Sequence, residues 1–132
     1  MDKITGIIIT FSLVILQSCV VDQTKNLGSG YTFRDEGGSM KEIYHDFPNI
    51  GGQVPATIVS FDYDKDFIIA KQQPKLPQNP LYERQFEYNN GENSFYYWLV
   101  NKKKHIVIGP LDSTSFFKIK KELKVSEKLS LE

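Results

Sequence analysis

The chain is poor in the residues that most often carry chemistry. Its 132 residues include one cysteine, two histidines and one tryptophan. A single cysteine excludes an intrachain disulfide and any cysteine-rich metal site. Sixteen basic residues balance sixteen acidic ones, so the formal net charge is zero. That balance argues against a nucleic-acid-binding module, which is normally basic. No apolar run reaches the ~20 residues needed to span a bilayer. The length allows one compact domain and leaves no room for a catalytic and a regulatory one. With 40% hydrophobic and 13% aromatic residues, the chain is not disordered as a whole.

The first informative feature is an address. Met1-Asp2-Lys3 precedes an apolar run from Ile4 to Leu16, followed by Gln17-Ser18-Cys19. A run of this length fits the hydrophobic region of a secretory signal. Leu16-Gln17-Ser18-Cys19 resembles the lipobox of bacterial lipoprotein precursors. In that pattern a large apolar residue lies three positions before an obligatory cysteine, with a small residue directly before it. Leu16, Ser18 and Cys19 match, whereas Gln17 replaces the usual small or apolar residue. The resemblance implies cleavage between Ser18 and Cys19 and acylation of the Cys19 thiol. Two or three acyl chains, palmitate among them, anchor stably because each buried methylene contributes ~0.8 kcal/mol. The alternative is an uncleaved membrane helix extending to Val21, with Cys19 as an ordinary apolar residue. The expected organisation is a signal peptide at 1–18, a lipidated tether at 19–29 and a single domain at 30–132.

The remainder alternates short apolar runs with turn residues, which predicts successive strands. Strands are expected at 30–36, 40–45, 56–61, 67–70, 94–101 and 105–108. Phe67-Ile68-Ile69-Ala70 reads as a strand buried on both faces. The aromatic run around Trp98 reads as the central strand. Residues 81–88 fit either a strand or a helix. Gly109-Pro110 reads as a stop. Asp112 or Ser113 can cap a final helix running to about Val125, with Phe116, Ile119 and Leu123 on one face. The last seven residues read as frayed. The fold class is α+β, an antiparallel sheet of five or six short strands with one C-terminal helix packed on it.

Phe67-Ile68-Ile69-Ala70-Lys71-Gln72, then Tyr97-Trp98-Leu99-Val100-Asn101-Lys102, then Ile108-Gly109-Pro110-Leu111-Asp112 occur in that order. This order resembles a family of small bacterial lipoproteins known only as a domain of unknown function. The resemblance covers about residues 30–125. It implies the fold and the lipoprotein class and brings no activity, cofactor or catalytic residue.

Several constellations remain. Asp62, Asp64 and Asp66 match the opening of a calcium loop, but its sixth and twelfth positions would be Phe67 and Gln73. Those positions need glycine and glutamate, so a solvated turn is expected and no metal site. His45 and His105 read as surface or turn histidines. Tyr96, Trp98, Lys102, Lys103 and Lys104 are the candidate ligand or partner face, although one set of the aromatics must form core. Residues 101–132 hold eight lysines against four acids, a net of +4. This excess could orient the domain over anionic headgroups, each nearby lysine contributing about 1 kcal/mol, or be a solvated turn and helix face.

The expected function is that of a membrane-anchored extracytoplasmic lipoprotein serving as a non-enzymatic binding module. Its partners would be the membrane, through the lipid anchor, and an envelope protein; neither nucleic acid nor a cofactor is expected. The alternatives are a small hydrolase-like enzyme and a periplasmic inhibitor presenting Gln72 to Pro80 as a protruding loop. In a host with two membranes, Val20 lacks the aspartate that commonly retains lipoproteins at the inner one, which favours the outer membrane.

Overall fold

The computed structural model describes residues 23–46, 54–80 and 84–132. The signal peptide, the lipobox and Cys19 lie outside the described residues, as does the Phe47–Gly52 loop. Among the described residues, seven strands precede one helix: β1 Gln23–Gly28, β2 Tyr31–Asp35, β3 Lys41–His45, β4 Ile58–Tyr63, β5 Phe67–Gln72, β6 Tyr96–Asn101, β7 Ile106–Leu111 and α1 Ser113–Glu122. The class is α+β. The expected single sheet is instead two antiparallel sheets, β1-β2-β3 and β4-β5-β6-β7. They separate because, among the described residues, β3 meets the segment before β4 at the single Ile43–Val54 bridge. The chain then turns so that β4 pairs with β5.

The period-two alternation of each strand decides which layer it serves. Leu27, Tyr31 and Ile43 from the first sheet meet Ile58, Ile68, Ala70, Trp98 and Val100 from the second. Phe33 packs on Phe61 across the same interface, centroids 4.4 Å apart. The opposite face of the four-stranded sheet presents Ile69 and Leu99, which Phe116, Val125 and Leu129 cover. β5 is therefore buried on both faces, as its continuous apolar run predicts. The result is three layers: small sheet, large sheet, then helix and tail.

Three local expectations are corrected. The stretch read as a tether includes β1, which pairs with β2 from Gln23–Asp35 to Gly28–Tyr31. Gly109-Pro110 does not stop β7. The register shifts between Tyr97–Leu111 and Leu99–Ile108, so two residues oppose Trp98 in a bulge, where a missing N–H is tolerated. The C-terminus is docked: Lys120 Nζ donates to the Leu129 carbonyl at 2.9 Å, and Ser130 N donates to Asp62 Oδ2 at 3.0 Å. Residues 84–88 form neither strand nor helix.

Candidate functional site

The C-terminal helix begins as its sequence dictates. The Asp112 carboxylate accepts from Ser115 N at 2.7 Å, satisfying an otherwise orphan amide. That hydrogen bond holds the Asp112 carboxyl below its ordinary pKa. Phe116 turns inward and stacks on Tyr97 at 5.2 Å. Phe117, one position on, faces outward and is 61% exposed. Lys120, Lys121 and Lys124 follow it at helical spacing, i+3, i+4 and i+7.

The helix ends in a Schellman motif. Val125 N donates to Lys120 O at 3.0 Å and Lys124 N to Lys121 O at 3.1 Å. The buried Val125 packs back with Ile119 in the core beneath the helix. The residue after the cap in this motif is usually glycine, because its backbone is left-handed. Here it is Lys124, with φ 55°. Phe117, Lys120, Lys121, Lys124, Val125 and Glu127 line a shallow groove of about 490 Å³. Three lysines and one glutamate thus line the concavity together with an exposed aromatic ring. The arrangement can hold an anion against an apolar contact.

A second groove of about 480 Å³ runs along the free edge of β4, between Phe33, Asp35 and Lys41 on one side and Ile58 to Asp62 on the other. The tail closes it at Ser130 and Glu132. Its charges are mixed and select no sign of ligand.

The histidines lie apart from both grooves, in the seam between the sheets. His45 is buried, against expectation, and His105 is exposed. Tyr31 sits edge-on to His45 at 4.6 Å, and its hydroxyl lies 3.2 Å from His105 Nδ1. His45 Nε2 donates to the Ser29 carbonyl at 2.9 Å. Burial raises the Tyr31 pKa. Gly30 permits this packing, since its φ is +85° and a Cβ there would fall 2.7 Å from His45 Nε2. Gly30→Ala is therefore expected to cost ~2 kcal/mol, from the left-handed backbone and the collision together. A urea titration would register it as a lowered midpoint with unchanged slope.

The structure divides the sequence-predicted face rather than assembling it. Trp98 is fully buried and Tyr96 is 4% exposed. The Tyr96 hydroxyl donates to Gly91 O at 3.0 Å and accepts from Asn90 N at 2.8 Å, so it clasps the asparagine-rich turn. Lys102 is buried, its ammonium donating to the Leu27 carbonyl and lying 5.5 Å from the Tyr63 ring. Burial lowers its pKa, opposed by Asp64 and Asp66. Lys103 pairs with Asp66 at 3.1 Å, and Lys104 is exposed. The Asp64 carboxylate accepts from Asp66 N and Phe67 N, closing the β4–β5 turn on itself. Gln72 is not part of a protruding loop. It is the buried end of β5. The lysines that do share a groove were visible in the sequence only as a cluster near a helix end.

The family described as a protein of unknown function (DUF3997) matches residues 39–132, from just before β3 to the end of the tail, and the chain belongs to it. No curated protein and no solved structure matches the chain.

Proposed function

We propose that the protein is an envelope lipoprotein, acylated at Cys19, whose folded domain works as a non-enzymatic binding module at the membrane surface. The observation that carries this reading is the lipobox Leu16-Gln17-Ser18-Cys19 directly after a signal-length apolar run. The short connection supports it. β1 begins at Gln23, four residues beyond Cys19, and four extended residues reach at most ~14 Å. Such a domain works within a molecular radius of the headgroups. Where the host has two membranes, Val20 favours the outer one.

Cys19→Ser is expected to leave a precursor that retains residues 1–18 and takes up no alkyne-tagged fatty acid. Intact mass and labelling in the producing cells read both. Normal processing and membrane retention of that variant would overturn the anchor.

A further inference from the structure

We infer that the Phe117–Lys120–Lys121–Lys124 groove is a contact site for the anionic phospholipid headgroups of the membrane that carries the anchor. The inference rests on the anchor at Cys19 and adds a second, non-covalent contact of stated chemistry.

Three observations converge. The first is charge. From Ser113 to Val125 the chain carries Lys118, Lys120, Lys121 and Lys124 against Glu122 alone. Three of these lysines line one groove, where Glu127 is the single carboxylate and the Lys120 ammonium also holds the Leu129 carbonyl. A diester phosphate accepts charge-assisted hydrogen bonds from cationic donors, and a lysine near an anionic surface favours binding additively. Phe117, at the groove edge, supplies the apolar contact that an interfacial site combines with lysines.

The second is strain. Lys124 occupies a left-handed position that glycine favours, as Ser29 and His105 do elsewhere in the chain. Glycine there would ease the backbone and remove one ammonium group from the groove. Lys124→Gly therefore separates loss of charge from loss of folding.

The third is reach. Gln23 lies opposite Asp35 in the β1–β2 register. Asp35 shares the β4-edge groove with Ser130 and Glu132. Ser130 in turn lines a cleft of about 300 Å³ with Phe117 and Lys120. The docked tail therefore links the anchored end of β1 to the lysine groove. With at most ~14 Å of chain between Cys19 and Gln23, the domain is held close to the headgroup plane.

The test uses the lipidated protein in vesicles of phosphatidylcholine alone, or with about one-third phosphatidylglycerol. Amine acetylation followed by mass spectrometry reads each lysine, with exposed Lys104 as the internal control. The expected result is roughly threefold or greater protection of Lys121 and Lys124 in the anionic vesicles only, lost at high salt because such contacts are screened. Lys124→Gly is expected to abolish most of the Lys121 protection while raising the melting temperature by ~4 °C. Lost protection with gained stability cannot come from misfolding. Equal labelling in both vesicle types overturns the site. So does equal protection in both, which would show contact without selection of charge. Protection of the same lysines by inorganic phosphate in detergent, with none in anionic vesicles, assigns the groove to a free anion and overturns the membrane as occupant. A purified chain lacking the diacylglyceryl mass overturns the anchor itself, a failure visible before any vesicle is prepared.

Discussion

Trp98→Ala is expected to lower the unfolding free energy by ~3–5 kcal/mol, a large share of the 5–15 kcal/mol that holds a domain of this size together. The indole is fully buried at the centre of the interface between the sheets. Phe86 meets it edge-on at 4.9 Å. Its removal leaves a cavity that the close-packed strands cannot collapse to fill. It also breaks a buried polar chain. Trp98 Nε1 donates to Gln72 Oε1 at 2.6 Å, and Gln72 Nε2 donates to the Pro55 carbonyl at 2.9 Å and the Tyr88 hydroxyl at 3.0 Å. Burial raises the Tyr88 pKa, against the lowering effect of its Gln72 hydrogen bond. Without the indole, the buried Gln72 oxygen loses its donor, which by itself costs ~1–3 kcal/mol. Trp98→Phe keeps most of the ring and loses the hydrogen bond, so it is expected to fall between the two. Urea unfolding followed by far-ultraviolet circular dichroism reads all three proteins, and an unchanged midpoint for Trp98→Ala would contradict this account of the core.

The elements that local chemistry specifies are legible in the sequence. Ile68, Ile69 and Ala70 announce a doubly buried strand. Tyr96 and Trp98 alternate with Tyr97 and Leu99 onto opposite faces, as the strand period requires. Asp112 sits where a helix cap belongs. What escaped has physical causes too. β1 turns one buried residue, Leu27, inward among exposed polar neighbours, so it shows no alternation. The helix end carried no glycine, because Lys124 holds the left-handed position. Val125, Leu129 and Leu131 dock the tail, three residues spaced by four and then two, too few to establish a period. The division into two sheets depends on which edges β3 and β4 leave unpaired, a long-range matter that no local window contains. The candidate site shows the same limit. Lys102, Lys103 and Lys104 are identical in type and adjacent, yet one is buried on a carbonyl, one pairs with a carboxylate and one is exposed. The neighbours that separate them come from β1 and the β4–β5 turn. The groove lysines were visible as a cluster, but the edge supplied by Phe117 and the returning tail was not.

Gly109→Ala is the second large effect, expected at ~3 kcal/mol, and it tests the same core from the opposite strand. Gly109 and Pro110 form the bulge across from Trp98, and the φ of Gly109 is +154°. A Cβ at this position would fall 2.5 Å from Trp98 Cδ2 and 3.1 Å from Cγ. Those atoms belong to a rigid ring enclosed on its other sides, so they cannot yield as the tip of a lysine could. Either the indole leaves its place, breaking the hydrogen bond to Gln72, or β7 lifts from β6 and carries the start of α1 with it. Both routes disturb the large sheet on two faces. A double-mutant cycle separates collision from backbone preference. In the Trp98→Ala background the cost of Gly109→Ala is expected to fall to ~1 kcal/mol, the part due to φ alone, giving a coupling of ~2 kcal/mol. Strict additivity would mean that the glycine serves the bulge backbone and not the ring. The expected coupling makes the Gly109-Pro110 bulge and the Trp98 strand a single packing unit.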